Sequence, residues 1–279
     1  MILPQFYVDD LIKRALSEDI NYIDTTSDYM IPADQRSQVH LAAKAEGVLC
    51  GIEVAMRVFE LLDGSFSYQL HKEEGDRLQA GDVIAVMTGK TRELLKAERT
   101  ALNLLQHMSG VATATAQAVA IVEGTNASIV DTRKTLPGLR PLQKYAVTVG
   151  GGRNHRYNLS DGAMLKDNHI DAAGGITAAI QTLRPKVGHM VNIEVETRNL
   201  DEVQEALDAG ADIIMLDNMD CETMRKAVEM TGGKALLEAS GGITSDTLRS
   251  VAETGVDIIS IGALTHSVKA LDISMKFDQ

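Results

Sequence analysis

The chain has 279 residues, of which 44% are hydrophobic and 24% charged, a composition that excludes a disordered or low-complexity protein. Its formal net charge of -12 argues against non-specific binding to nucleic acid or to an anionic membrane surface. The first residues lack the basic and apolar segments of a signal peptide, and no apolar stretch approaches the roughly 20 residues that span a bilayer. We therefore expect a soluble cytoplasmic protein whose two cysteines are buried thiols.

The first part of the chain, to about residue 108, predicts helices layered on an antiparallel sheet. Residues 40–47 are typical of a strand that enters a turn, and residues 51–62 are typical of a helix. Two Gly-Asp turns, at Gly75 and Gly81, are closely spaced before a further strand. A long helix is then predicted from Thr91 to about Val122, with most of its leucines in the core.

A repeating strand–helix pattern begins near residue 125. Strands are predicted at 127–131, 162–166, 190–196, 211–217, 235–240 and 256–262, because most of these runs are short and rich in β-branched residues or leucine. Amphipathic segments at 200–209 and 244–253 predict helices that end near Gly210 and Gly255. The alternation predicts a parallel α/β sheet, and we favour an incomplete barrel over a doubly wound sheet.

The predicted strands end on polar, charged or glycine residues: Asp131, Lys166, Glu196, Asp217, Ser240 and Gly262. Because the carboxyl ends of parallel strands meet at one rim, these residues are expected to surround one cavity. Within residues 132–166, seven Lys or Arg accompany a single acid, Asp161. A basic segment in an acidic chain predicts a pocket for a small polyanion, since guanidinium groups bind carboxylates and phosphates through two parallel hydrogen bonds.

Two further patterns bear on chemistry. Glu196 and Asp217 are placed to hold ribose hydroxyls or a phosphate-bound Mg²⁺ ion, and the structural alternative is a salt bridge with Lys166. Glycine-rich turns at 240–243 and 262–266 follow the last two strands, where barrels commonly bind phosphate. The sequence has no P-loop, GxGxxG, HExxH or paired CxxC motif, so nucleotide hydrolysis, nicotinamide redox chemistry and zinc catalysis lack support.

Eight segments occur in an informative order. They are Arg99-Thr-Ala-Leu-Asn103, Asp131-Thr-Arg-Lys-Thr135, Gly150-Gly-Gly-Arg-Asn-His-Arg156, Leu165-Lys-Asp-Asn-His169, Ile193-Glu-Val-Glu196, Ile214-Met-Leu-Asp-Asn218, Glu238-Ala-Ser-Gly-Gly-Ile243 and Ser260-Ile-Gly262. Together they resemble the quinolinate phosphoribosyltransferase family, also called nicotinate-nucleotide pyrophosphorylase (carboxylating), essentially from end to end. The resemblance implies transfer of phosphoribosyl from phosphoribosyl pyrophosphate to quinolinate with loss of CO₂, which yields nicotinate mononucleotide for NAD biosynthesis.

The resemblance also implies an architecture. An N-terminal α/β sandwich would occupy residues 1–108, and an open α/β barrel would occupy residues 109–269, with a tail from about 270 packing back on the sandwich. The chain would form a homodimer, and whether dimers assemble further stays open. Each active site would be completed by the neighbouring subunit, which would contribute Arg99.

The residue roles implied by the resemblance fall into three groups. Lys134, Lys166, Glu196 and Asp217 would be catalytic, and Glu196 and Asp217 would also face Mg²⁺ through water or substrate. Arg133, His155, Arg156 and Lys166 would line the quinolinate pocket, with Lys134 between quinolinate and pyrophosphate. The remaining substrate-binding residues would be Arg99, Thr132, Ser240, Gly241, Gly262, Ala263 and His266, of which Ser240, Gly241 and Gly262 would meet the 5′-phosphate.

Three other functions stay open at this point. A paralogue with the same barrel, such as the molybdenum-transport-associated relative, would use another acceptor. A Schiff-base aldolase would use Lys134 or Lys166, and borohydride trapping with substrate would detect it. A non-catalytic anion-binding module would leave the convergence of acids, lysines and glycine-rich turns on one rim unexplained.

Overall fold

The computed structural model describes residues 3–278, and the chain divides into two units. The first unit covers the chain up to Ala116, Leu136–Gly151 and the chain from Thr265 onward; the second covers Gln117–Thr135 and Gly152–Leu264. Among the described residues, no helix is long and apolar enough to cross a membrane.

The helices and strands are numbered in chain order. The helices are α1 (Gln5–Asp19), α2 (Ser27–Met30), α3 (Ile52–Leu62), α4 (Thr91–Val122), α5 (Arg140–Val149), α6 (Asp167–Ala173), α7 (Ile176–Leu183), α8 (Leu200–Asp208), α9 (Cys221–Thr231), α10 (Ser245–Ala252) and α11 (Ala263–His266), with a 3₁₀ turn at Arg184–Lys186. The strands are β1 (Arg36–Ala43), β2 (Gly47–Val48), β3 (Ser67–Leu70), β4 (Arg77–Leu78), β5 (Val83–Lys90), β6 (Ser128–Val130), β7 (Ala163–Leu165), β8 (Ile193–Thr197), β9 (Ile213–Asp217), β10 (Leu236–Ser240), β11 (Ile258–Ser260) and β12 (Ile273–Phe277).

The first unit contains a four-stranded sheet in the order β12-β1-β5-β3. All three pairings are antiparallel, and β12 runs beside β1 from Val39 opposite Phe277 to Ala43 opposite Ile273. Buried residues of the sheet, such as Leu41 and Ile84, form one core with buried residues of the helices, such as Phe59 and Leu105. The predicted antiparallel layer is therefore confirmed.

The start of α3 depends on Gly51, which precedes the helix with a φ of 90°. A side chain there would lie 2.6 Å from Met108 Sδ, and this φ is one that side-chain-bearing residues rarely adopt. The carboxylate of Glu74 accepts hydrogen bonds from the N–H groups of Gly51 at 2.7 Å and Ile52 at 3.2 Å. An acid from another segment thus satisfies the first amides of the helix.

The second unit is built on a six-stranded sheet in the order β6-β11-β10-β9-β8-β7. Every pairing in this sheet is parallel. Strands β6 and β7 each pair on one side only among the strands that the structure describes, so the ring stays open between them. The predicted open parallel barrel is confirmed, and the six predicted strands fall at β6 to β11.

Capping side chains and glycines determine where the helices between these strands begin and end. The Asn199 side chain accepts the N–H of Glu202 at the start of α8, and the Asp220 side chain accepts that of Thr223 at the start of α9. Gly210, with a φ of 80°, follows α8 and turns the chain into β9. One expectation is wrong in part: Cys50 is buried, but Cys221 is half-buried because it is the first residue of α9.

Candidate active site

A cavity of about 350 Å³ opens at the carboxyl ends of the parallel strands, within the second unit. It is lined by Thr132, Arg133, Lys134, His155, Arg156, Met164, Lys166, Glu196, Met215, Asp217, Glu238, Ser240 and Ser260. We call it the rim cavity. Nine of the residues expected in the site meet there, because β6 to β10 each place a strand end or the following loop at the same edge.

The acids of the rim cavity lie on neighbouring strands. Glu196 is in β8, and its Oε2 lies 3.3 Å from Nζ of Lys166, which follows β7. Asp217 ends β9, and its Oδ2 accepts a hydrogen bond of 2.8 Å from the side-chain amide of Asn218. The ion pair of Lys166 and Glu196 is half open to solvent on the lysine side, where such pairs contribute little to stability. Both residues line the rim cavity.

Asn218 has a positive φ, of 55°, which is uncommon for any residue other than glycine. Its backbone N–H donates to the carbonyl of Ser240 at 2.9 Å. A side chain at Gly241 would lie 2.3 Å from Oδ1 of Asn218, so the turn after β10 accepts only glycine. The close approach of Asn218 and Gly241 holds the ends of β9 and β10 together.

His155, Glu194 and Glu238 form a cluster at the base of the rim cavity, and His155 and Glu238 also line it. Nε2 of His155 is 3.0 Å from Oε2 of Glu194 and 3.5 Å from Oε2 of Glu238. The two acids are 4% and 1% exposed. Burial, and then the neighbouring Glu194, raise the pKa of Glu238 to about 7.

Arg133 and Arg156 both line the rim cavity. Nη1 of Arg156 donates to the carbonyl of Gly162 at 2.9 Å. Burial, and then the charge of Arg133, lower the pKa of Arg156, while Glu194 acts in the opposite direction. Arg133 and Arg156 thus form a cationic pair whose repulsion a bound dianion would relieve.

Two family models match the two parts of the chain. The family model for the N-terminal domain of quinolinate phosphoribosyl transferase matches residues 24–109, and the model for its C-terminal domain matches residues 111–276. The chain belongs to the quinolinate phosphoribosyltransferase family. The resemblance drawn from the eight sequence segments is confirmed.

Individual relatives cover almost the whole chain. A protein of Bacillus subtilis named "Probable nicotinate-nucleotide pyrophosphorylase (carboxylating)" is 47% identical over 265 residues, which is 95% of this chain and 91% of that protein. The nicotinate-nucleotide pyrophosphorylase (carboxylating) of Mycobacterium leprae is 43% identical over 95% of both chains. The crystal structure of NadC from Streptococcus pyogenes superimposes with a TM-score of 0.96 at 43% identity and covers 100% of both chains.

Five residues expected in the site do not line the rim cavity. Gly241 and Gly262 are half-buried in the turns that follow β10 and β11. Ala263 and His266 are exposed in α11. Arg99 is exposed in α4, in the first unit, whereas the lining residues all belong to the second.

Four lining residues were given no site role from the sequence: Met164, Met215, Glu238 and Ser260. Each lies two positions before a strand-end residue that was named. Since alternate residues of a strand share a face, they form the next layer down inside the open barrel. Glu194 likewise lies two positions before Glu196. The position two residues before each strand-end residue was therefore the signal that could have identified Glu194 and the four lining residues.

The buried Glu238 makes stability depend on pH. Its pKa is about 7 in the folded chain and close to 4.5 when unfolded, so the stability that it contributes is present at low pH and is lost as the pH rises through this window. A shift of this size corresponds to at most about 3 kcal/mol. Between pH 4.5 and 8 we expect wild type to lose up to that much unfolding free energy relative to Glu238→Gln. Urea titrations across this range measure it, and a difference independent of pH would contradict it.

Proposed function

We propose that the rim cavity binds quinolinate and the phosphoribosyl donor together, and that its charged residues carry out the transfer. The proposal rests on one observation: in a member of this family, three cations and two acids line a single cavity. These residues are Arg133, Lys134, Arg156, Glu196 and Asp217. The cations suit two polyanionic substrates, and the acids suit the positive charge that develops on ribose during the reaction.

The reaction is that of a decarboxylating pentosyltransferase. The pyridine nitrogen of quinolinate forms a bond to the anomeric carbon of ribose, and the bond from that carbon to pyrophosphate breaks. The bond from C2 to its carboxylate then breaks and CO₂ leaves; the electron pair stays on C2, where the adjacent cationic nitrogen stabilises it until C2 takes up a proton. The products are nicotinate mononucleotide, pyrophosphate and CO₂, in the biosynthesis of NAD.

The quinolinate end of the cavity is assigned to its guanidinium groups. In this proposal Arg133 and Arg156 bind the two carboxylates, with His155 and Lys166 beside them. Two fork-shaped guanidinium groups match two carboxylates better than ammonium groups do, because each can donate two parallel hydrogen bonds. Lys134, which is exposed on the loop after β6, is assigned to the pyrophosphate, where its ammonium group would offset the charge of the leaving group.

The donor end is assigned to the strand ends of β8 to β11. Glu196 and Asp217 would hold ribose hydroxyls and a Mg²⁺ ion, and the donor set fits that ion because carboxylate oxygens from two adjacent strands reach the same cavity. When bound, Mg²⁺ would supply positive charge to the phosphate oxygens. The turn at Ser240 and Gly241 and the turn at Gly262 would offer backbone N–H groups to the 5′-phosphate.

We also propose that the enzyme works in the cytoplasm as a homodimer. Cys50 and Cys221 are thiols rather than a disulfide, which is typical of a reducing compartment. The exposure of Arg99 supports a homodimer whose partner receives this side chain.

The assay that tests the function measures the release of CO₂ from quinolinate labelled at the 2-carboxylate, with and without phosphoribosyl pyrophosphate. We expect release only when both substrates are present, together with equimolar pyrophosphate. Release without the donor, or no release with it, would contradict the proposal. A parallel assay with nicotinate as acceptor tests whether the adjacent carboxylate is required.

Replacing Glu196 or Asp217 should lower turnover more than it weakens quinolinate binding. Glu196→Gln and Asp217→Asn remove the charges that would stabilise the ribose cation, so each should lower kcat by about 100-fold and change the Mg²⁺ dependence. Asp212→Asn is the matched control, because Asp212 lies at the opposite end of β9 and pairs with Arg184 at 2.7 Å. Wild-type turnover in both site variants across a Mg²⁺ titration would show that these acids are structural.

A further inference from the structure

The segment that carries Arg156 has no regular secondary structure. Residues 154–162 form neither helix nor strand, so the ladder hydrogen bonds of a sheet do not fix their position. Side chains supply the contacts instead. The N–H of His155 donates to Oδ1 of Asp131 at 2.9 Å, and the N–H of Arg156 donates to Nδ1 of His155 at 2.7 Å. The backbone of Arg156 therefore depends on the orientation of the His155 ring.

The hydrogen bonds of His155 define its tautomer. Because Nδ1 accepts a backbone N–H, it carries no proton, and the proton of the neutral ring lies on Nε2. That proton points to the carboxylates of Glu194 and Glu238. The same three residues could serve as metal ligands, but a metal on Nε2 would require a ring with no proton at all while Nδ1 still accepts the amide.

We propose that Glu194 and Glu238 are positioning residues for quinolinate: acting through His155, they hold the backbone and guanidinium of Arg156 at the rim cavity. The inference rests on the proposed function, because it takes Arg156 as a quinolinate contact. In this arrangement His155 also affects quinolinate indirectly, by positioning Arg156. Its Nδ1 accepts the N–H of Arg156 and its Nε2 faces Glu194, so both ring nitrogens have partners within the chain.

Burial of both acids would be costly without such a role. Glu194 and Glu238 are 4% and 1% exposed, and each has one buried carboxylate oxygen with no hydrogen-bond partner within residues 3–278. The charge of Glu194 favours the charged guanidinium of Arg156 and so opposes its repulsion by Arg133. A third buried acid, Asp131, accepts the backbone N–H of His155 on another side of the cluster. Glu194 thus supports two cations that must stay together before the dianion binds.

A double-mutant cycle tests the inference. Calorimetry measures the Kd of quinolinate for wild type, Glu194→Ala, Arg156→Ala and the double variant, each as the full chain. Glu194→Ala should weaken binding by about 10- to 100-fold, because it leaves the Nε2–H of His155 without its nearer acceptor. The double variant should bind no more than about twofold more weakly than Arg156→Ala, because Glu194 acts through Arg156. Glu194→Gln retains an oxygen acceptor and should recover most of the affinity.

A pair of histidine variants gives an independent readout if Glu194→Ala does not fold. In His155→Asn, the side-chain oxygen can replace Nδ1 as acceptor of the Arg156 N–H. In His155→Gln, the longer side chain can replace Nε2 as donor to Glu194 but leaves the Arg156 N–H without its acceptor. We expect quinolinate to bind His155→Asn more tightly. Asp257→Asn is the control, because Asp257 accepts the N–H of Leu237 at 2.8 Å at the other end of β10 and should affect stability alone.

Two results would overturn the inference while the proposed function stands. One is an unchanged Kd in Glu194→Ala, and the other is a double variant whose loss is the product of the two single losses. A wild-type chain that binds no quinolinate would overturn the proposed function, and this inference with it.

Discussion

Arg156→Ala and Arg133→Ala should each raise the Kd of quinolinate by about 30- to several thousand-fold, which corresponds to a loss of about 2–5 kcal/mol. Each change removes one guanidinium group from a partly enclosed cavity and leaves one substrate carboxylate without its charged partner. The loss should appear in quinolinate affinity more than in affinity for the phosphoribosyl donor. Calorimetric titration of the full chain with each substrate separates the two.

Arg153→Ala is the matched control for this experiment. Arg153 lies in the same basic segment, and its side chain is exposed. Its backbone N–H donates to the carbonyl of Ile129 in β6, a contact that the change to alanine retains. Its removal lowers the net charge by the same amount, so quinolinate affinity should change by less than about threefold. Unchanged affinity in both cavity variants, or an equal loss in the control, would show that Arg133 and Arg156 do not bind the carboxylates.

Mixing two inactive variants should restore activity if the active site is shared between subunits. Arg99→Ala and Lys134→Ala each remove a cation from the proposed site, and each chain alone should be nearly inactive. After subunit exchange at equal amounts, half of the dimers are mixed, and each mixed dimer contains one site with both changes and one site with neither. About a quarter of the wild-type activity should therefore return.

Two controls make the mixing experiment decisive. Mass spectrometry of the mixture shows whether the subunits have exchanged. A mixture of Lys134→Ala with Arg133→Ala should stay inactive, because Lys134 and Arg133 belong to the same loop after β6 and each would contribute to its own chain's cavity. If exchange is complete and the Arg99 mixture also stays inactive, Arg99 acts within its own chain or has no role.

The parallel sheet was predictable because its strands are buried on both faces. Each appears in the sequence as a short apolar run, and the predicted runs at 211–217 and 235–240 contain β9 and β10. The long helix was predictable for a similar reason, and α4 begins and ends as expected, at Thr91 and Val122. Short helices such as α6 and α11 were not predicted, because one or two turns carry too little periodicity to distinguish from loops.

The site was predictable at its rim and not below it. Lys166, Glu196 and Asp217 stand at strand ends, where a polar residue after an apolar run is conspicuous. Glu194 and Glu238 lie inside their strands, where the apolar residues around them give the appearance of ordinary core. Only the pairing of β8, β9 and β10 in space, together with the loop that carries His155, brings these two acids to one imidazole.

The pairing of β12 with β1 has a consequence for the order of folding during synthesis. The side chains of His40 and Asp278, which form a hydrogen bond beside these strands, are 238 positions apart in the sequence. A nascent chain that has reached residue 272 has made β1 but not the strand beside it, so one edge of β1 still presents unpaired N–H and C=O groups. Such an edge can pair with other chains. The antiparallel sheet is therefore completed only after β12 has been made, and a chain interrupted before residue 273 would keep an exposed edge prone to aggregation.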